Sequence, residues 1–262
     1  MYLIKKSIQV LKNEGTQVFF KKAFKFIKNK IGNFKFKIVN IMARINSNSI
    51  INKIKIFNSN EINEIFNFSS KFYFGLIRPI QVKEEFIKLL KIFKDLNPKY
   101  ILEIGTANGG TLFCFCELAQ DDATIISIDL PEGEFGGGYP EWKIPIYGAF
   151  AKQNQKLYLL KKDSHQQETL EEVKKILNSN QLDFLFIDGD HSYDGVKKDF
   201  EMYLSLVRKG GIIAFHDVVK HPPYVDCEVE KFWNEIKNNY KFEELVKDYN
   251  QNWAGIGILF QK

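Results

Sequence analysis

The sequence predicts an α/β fold: a doubly wound, mostly parallel sheet with helices on both faces, preceded by a basic helical extension. Three observations lead there. From Lys99 onward, short apolar runs alternate with amphipathic stretches in βα order. Two of those runs, residues 101–104 and 124–129, bring carboxylates, Glu103 and Asp129, to their ends 26 residues apart. The first 60 residues lack this rhythm and carry a net charge of +12, with Glu14 as their only acid; the remainder of a +5 chain is therefore −7.

In chain order, Phe20, Phe24, Ile27 and Ile31 recur at helical spacing while Lys21, Lys22, Lys25 and Lys28 take the other faces, which describes a basic amphipathic helix. Such a helix either lies on an anionic membrane surface or packs its apolar stripe on the body or on another subunit, with its lysines solvated. The polar stretch 58–70 reads as a linker, giving an extension over residues 1–70 and a folded α/β body over 71–262. After Arg78-Pro-Ile-Gln81, the spacing of Phe86, Leu89, Leu90 and Phe93 predicts a helix. The runs at 101–104, 124–129, 157–160, 184–188 and 211–216 predict buried strands, and ligands bind such sheets at the carboxyl ends of the strands. A helix from about residue 195 to 207 presents Val196, Phe200, Tyr203, Leu204 and Val207, and residues 252–260 predict a last strand.

The first strand breaks into Gly105-Thr-Ala-Asn-Gly109-Gly-Thr111. Gly105 and Gly109 let backbone approach a ligand, Thr111 falls in the first turn of the next helix, and Asp129 is placed to accept hydrogen bonds from both hydroxyls of a ribose. The spacing is not the Gly-x-Gly-x-x-Gly of a dinucleotide cradle. Glu103-Ile-Gly-Thr-Ala-Asn-Gly109 resembles the first motif of class I S-adenosylmethionine-dependent methyltransferases, and Asp129 matches their ribose-binding acid. The resemblance covers roughly residues 78 to 260 and implies a seven-stranded, mostly parallel Rossmann-like sheet whose last strand is antiparallel. It also implies cofactor contacts at Glu103, Gly105, Thr106, Gly109, Thr111 and Asp129, with Asp163 and Ser164 flanking the adenine.

A second constellation follows. Phe184-Leu-Phe-Ile-Asp188-Gly-Asp190-His191 and Gly211-Ile-Ile-Ala-Phe-His216-Asp217 end neighbouring strands, so Asp188, His191, His216 and Asp217 are expected to converge. Carboxylates suit Mg²⁺, and an imidazole among the ligands shifts preference toward Mn²⁺, Fe²⁺ or Zn²⁺. A divalent ion holding two neighbouring hydroxyls lowers their pKa and orients one oxygen toward a sulfonium methyl, and His191 takes the proton. The competing reading makes Asp188-Gly189-Asp190 a strand-closing turn and His216-Asp217 a capping pair. The four residues together also look like the pattern of metal-dependent sugar O-methyltransferases, the cephalosporin hydroxylase-like branch found beside glycosyltransferases. That implies metal ligands at Asp188 and Asp217 and a base at His191; His216, where that branch carries an acid, is added as a third ligand. His165 and His221 are assigned structural roles; residues 131–150, with Tyr139 and Trp142, form either a lid or a structural loop, and the segment His221-Pro-Pro-Tyr224 is expected to wall the cleft opposite it.

The expected function is O-methyl transfer from S-adenosylmethionine to a sugar or glycan hydroxyl with Mg²⁺ or Mn²⁺. The alternatives are a metal-independent small-molecule methyltransferase and a non-catalytic scaffold in glycan assembly. A cytoplasmic protein is expected, with peripheral contact through residues 1–40 at the inner membrane face. Three arginines, Arg44, Arg78 and Arg208, and no recognised motif argue against nucleic acid. Cys114, Cys116 and Cys227 read as buried thiols, and the sequence leaves the oligomeric state open.

Overall fold

The computed structural model describes residues 34–131 and 138–262. The expected amphipathic helix around Phe20–Ile31 lies outside them, as does most of the glycine-rich part of the expected lid. Residues 34–45 are helical (α1). A separate compact unit, Ser47–Lys262, holds everything else, so the expected boundary at residue 70 falls inside it.

That unit opens with α2 (Ser47–Lys55), α3 (Ile62–Lys71) and α4 (Lys83–Leu96). The expected linker at 58–70 is largely α3. Asn63 and Glu64 face solvent, while Ile65, Phe66 and Ser69 are buried, the Ser69 hydroxyl donating to Phe66 O at 3.0 Å. There follow β1 (Tyr100–Ile104), α5 (Gly110–Leu118), β2 (Thr124–Asp129), α6 (Ile144–Gly148), β3 (Lys156–Lys161), α7 (Gln167–Leu177) and β4 (Leu182–Ile187). The chain closes with α8 (Tyr193–Tyr203), β5 (Val207–His216), α9 (Val229–Ile236), β6 (Lys241–Leu245) and β7 (Ile256–Phe260). The expected helix to Val207 ends at Tyr203, because a 3₁₀ turn intervenes and Val207 already begins β5.

The strands form one seven-stranded sheet in the order β3-β2-β1-β4-β5-β7-β6, in which β7 runs antiparallel to both neighbours. The order reverses between β1 and β4, so the crevice for a ligand opens at the carboxyl ends of β1, β2, β4 and β5. Alternate residues serve opposite faces. Leu102, Ile104, Leu185, Ile187, Ile213 and Phe215 join α7, α8 and α9 in one core cluster. On the other face, Phe184 meets Phe93 and Phe115, ring centroids 4.8 and 5.3 Å apart. Edge-to-face aromatic pairs of this kind contribute about 0.5–1.5 kcal/mol beyond their buried area. Glu103 shares the parity of this aromatic face, which turns it toward α5.

β6 was not legible as a strand. Its sequence, Lys-Phe-Glu-Glu-Leu, belongs to a sheet edge with only Leu245 buried. The predicted last strand is shortened to Ile256–Phe260, because Asn252, Ala254 and Gly255 take positive φ in a turn before it. That turn is anchored by Glu85 on α4, 1% exposed, which accepts from Lys247 N, Gln251 Nε2 and Gly255 N at 2.8, 2.8 and 3.0 Å.

Candidate functional site

The β1 turn is held in place by backbone. Gly105, at φ +98°, donates to Ile128 O at 2.8 Å, and Asp188 N donates to Ile104 O at 2.9 Å, extending the ladder past the strand ends. A Cβ on Gly105 would meet Asp188 O at 2.0 Å, so only glycine lets the tips of β1 and β4 close up. Gly109, at φ +78°, precedes α5, and Tyr147 covers it while donating from its hydroxyl to Ala107 O at 3.0 Å.

Beneath this turn lie three residues expected to touch a cofactor. Glu103 is fully buried and accepts from Thr111 Oγ1 and, at 2.7 Å, from Ser127 Oγ. Burial pushes its carboxyl up to about 8, and the two hydroxyls only partly offset that. Thr106 is also buried, its hydroxyl 2.6 Å from Ser127 Oγ. Glu103, Thr106 and Thr111 therefore brace the turn from beneath, a role beside the expected contact with a cofactor. The sequence could not separate the two roles, because an acid at a strand tip serves either.

Asp129 ends β2 at 5% exposure, accepting from Ala107 N at 2.8 Å and Gly138 N at 2.9 Å. Burial raises its pKa against those hydrogen bonds. It sits across the β1–β2 tip, beside the glycine turn. Past β3, Asp163 accepts from His165 N and Gln166 Nε2, each at 2.8 Å, and so shapes its own turn. Ser164 O accepts from Tyr203 at 2.9 Å. His165 Nε2 lies 3.3 Å from the fully buried Asp199, whose carboxylate raises the imidazole pKa.

At the tips of β4 and β5 the expected residues do converge. His216 Nδ1 lies 3.1 Å from Asp188 Oδ1 and 3.3 Å from Asp217 Oδ2, and His191 Nε2 lies 3.6 and 3.7 Å from the same two oxygens. Asp217 takes φ +63°, an uncommon conformation for a residue with a Cβ, and is fixed by Ala254 N at 2.9 Å. Burial alone would raise both carboxyls, but the imidazoles, His216 first, hold Asp188 below its usual range and Asp217 well below. Burial would likewise lower His191 and His216; the facing carboxylates, Asp188 foremost, more than reverse it in both. The ligand atoms of Asp188, His216 and Asp217 lie within 4.8 Å of one another. Around a tetrahedral ion with bonds of about 2.1 Å, ligand atoms stand about 3.4 Å apart, so this donor set fits a divalent cation. His216 Nε2 is buried and has no hydrogen-bond partner.

The sequence missed three neighbours. Gln81 Nε2 donates to Asp188 Oδ2 at 2.9 Å, from the segment just before α4. His221, expected to be structural, lies 3.3 Å from Asp217 Oδ1, and Asp217 first and Cys227 second push it up to about 10. Cys227, expected to be buried, is half-buried beside it. In the segment expected to wall the cleft, Tyr224 is 80% exposed. Tyr139 of the expected lid is buried against Tyr147.

Residues 102–218 match the family model described as a methyltransferase domain. An uncharacterised protein of Sinorhizobium fredii is 34% identical over 130 residues, 47% of this chain and 13% of that protein. "Probable caffeoyl-CoA O-methyltransferase 3" of Dictyostelium discoideum is 30% identical over 154 residues, 58% of this chain and 55% of that one. The chain thus spans about half or less of the length of these curated relatives. Among solved structures, a Staphylococcus aureus protein described as a caffeoyl-CoA O-methyltransferase superposes with TM-score 0.53 at 22% identity, covering 83% of this chain and all of that one. The O-methyltransferase TomG of Streptomyces achromogenes superposes with TM-score 0.51 at 15% identity over 79% of this chain and 92% of that one. The fold is the Rossmann-like α/β fold of class I O-methyltransferases, with its seven-stranded, mostly parallel sheet.

Proposed function

We propose that this chain is an S-adenosylmethionine-dependent O-methyltransferase acting on a hydroxyl of a sugar or glycan with the help of a divalent cation. The observation that carries the reading is the adjacency of two sites: the glycine turn with Asp129 on one side, and the cluster of Asp188, His191, His216 and Asp217 on the other, in contact through Gly105 and Asp188. Asp129 would hold the ribose hydroxyls, and backbone around Gly105 and Gly109 the amino-acid portion, near the positive N-terminal end of α5. Asp188, His216 and Asp217 would hold the cation, which when bound would polarise an acceptor hydroxyl and lower its pKa. Gln81 and Ala254 N fix the rotamers of the two carboxylates, so the donors are oriented before any ligand arrives. His191, with 32% of its side chain exposed, is the group of the cluster most open to an acceptor and takes its proton. The two carboxylates stabilise the resulting imidazolium.

The names of relatives favour a second acceptor class, a small molecule with neighbouring phenolic hydroxyls, since two of the proteins above are described as caffeoyl-CoA O-methyltransferases. The basic N-terminal region supports a place at an anionic membrane surface, on the cytoplasmic side. Phe34, Ile38, Ile41 and Ile45 are exposed on α1 beside Lys35, Lys37 and Arg44, with no acid among residues 34–46. Among the described residues no helix is long and apolar enough to cross a membrane.

The test pairs calorimetry with methyl-labelled cofactor. Asp129→Ala should weaken S-adenosylmethionine binding roughly 10- to 100-fold, as hydrogen bonds to a charged group contribute about 1.5–3 kcal/mol. Label should pass to a glycan fraction, stop with EDTA and resume with Mg²⁺ or Mn²⁺. Label passing to a catechol instead selects the second acceptor class. Transfer indifferent to EDTA removes the cation, and absent cofactor binding favours a non-catalytic scaffold.

A further inference from the structure

Asp217 belongs to two groups of metal-ligating side chains, and the function proposed above uses only one. The ligand atoms of His191, Asp217 and Cys227 also lie within 4.8 Å of one another. This second group is assembled by the chain after β5. Glu228 N donates to His191 O at 2.8 Å, docking the residue that follows Cys227 onto the backbone of the β4 turn. Cys227 N in turn donates to Val225 O at 3.0 Å, so both sides of the thiol are held by backbone. His221 completes the frame. Its Nδ1 lies 3.0 Å from Val219 O and its Nε2 3.3 Å from Asp217 Oδ1, which orients that carboxylate, while Cys227 is its other neighbour.

The other two thiols differ in kind. Cys114 and Cys116 are fully buried on α5, whereas Cys227 is half-buried and shares its cleft with His191, which is open to solvent. An ion from solution therefore has a route to this sulfur.

We propose that Cys227 is a metal ligand, and that His191, Asp217 and Cys227 take a thiophilic divalent cation of the Zn²⁺ or Fe²⁺ class, with Asp217 shared between this group and the Asp188–His216 side. Thiolate, imidazole and carboxylate are the donors such ions favour, while Mg²⁺ takes oxygen ligands and leaves sulfur alone. On binding, the sulfur–metal bond replaces the S–H bond and the proton passes to solvent. The inference rests on the reading of the cluster as a cation site and changes which cation that site prefers; with such an ion bound His191 is a ligand, so its role as base belongs to the Mg²⁺- or Mn²⁺-bound state.

The experiment uses the full chain and needs no acceptor. Co²⁺ is titrated into the apo protein and followed by near-ultraviolet absorption, where a thiolate–Co²⁺ charge-transfer band is diagnostic. In parallel, alkylation of Cys227 is followed by peptide mass spectrometry with and without Zn²⁺. The band should appear, Zn²⁺ should protect Cys227, and Cys227→Ser should abolish the band and weaken Zn²⁺ binding by more than the roughly 10- to 100-fold typical of losing an outer-shell partner. The alkylation arm uses unmodified protein, so it stands even if that variant folds poorly. A Co²⁺ spectrum without the band, or a Cys227 alkylation rate indifferent to Zn²⁺, overturns the thiolate ligand. Should methyl transfer nevertheless depend on Mg²⁺, the proposed function stands and only this inference falls.

Discussion

Replacing Gly105 by alanine tests the joint between the two halves of the cleft. The new Cβ would lie 2.0 Å from Asp188 O and 2.6 Å from Asp188 C, both backbone atoms, and ordinary contact begins near 3.4 Å. The tips of β1 and β4 must therefore separate by about 1.4 Å against the hydrogen bonds from Gly105 N to Ile128 O and from Asp188 N to Ile104 O. Overpacking of this kind costs about 1–3 kcal/mol. The φ of +98° adds about 1–2 kcal/mol for a residue with a Cβ. The sum, about 2–5 kcal/mol, lowers Tm by roughly 4–20 °C at the 2–4 °C per kcal/mol expected for a body of this size. Gly148→Ala is the control, because a Cβ there meets nothing within 4 Å, and it should change stability by no more than about 0.5 kcal/mol. Scanning calorimetry of both variants, with S-adenosylmethionine titrations at a temperature where each is folded, decides the matter. Gly105→Ala with the Tm and cofactor affinity of its parent would refute the claim that this contact needs glycine.

Two further outcomes follow from the described geometry. The Glu103 carboxyl is raised from 4.5 to about 8 in the folded protein, so the fold favours its neutral form and Glu103 makes stability fall as pH rises from about 4.5 toward about 8. Glu103→Gln should flatten Tm against pH over that window, and identical slopes in the two proteins would exclude the mechanism. The three basic residues of α1 should add about 1 kcal/mol each to binding at an anionic membrane. Lys35→Glu with Lys37→Glu should thus cut sedimentation with phosphatidylserine vesicles at least about 10-fold, and equal binding of the parent to neutral vesicles would rule out the electrostatic attachment.

The central strands were readable because β1, β2, β4 and the second half of β5 are largely buried on both faces and so appear as mostly apolar runs with acids at or beside their carboxyl ends. α3 and β6 were not, for opposite reasons. α3 spreads a few large apolar residues among Asn and Ser, and β6 puts charged residues in a strand at the sheet edge. In the cleft, the cluster at Asp188 and Asp217 was legible because neighbouring strand tips must meet. The hydrogen bond by which Thr111 on α5 holds Glu103 was hidden, because it joins a strand to the helix after it; the strand's parity with Ile101 shows only which face Glu103 takes. Gln81, Glu85, His221 and Cys227 were hidden because each reaches its partner across the fold or around an irregular turn. Glu85 looks like any solvent-facing acid in the first turn of a helix, yet it is buried and fixes the turn that positions Asp217.

At Gly105 no side chain separates the glycine turn from the carbonyl of Asp188, whose carboxylate belongs to the cluster at the β4 and β5 tips. A ligand that shifts either tip must push on the other, leaving two occupants to share one mechanical linkage. Under the proposed function, any factor by which the nucleoside sharpens affinity for the ion is returned by the ion to the nucleoside in equal measure.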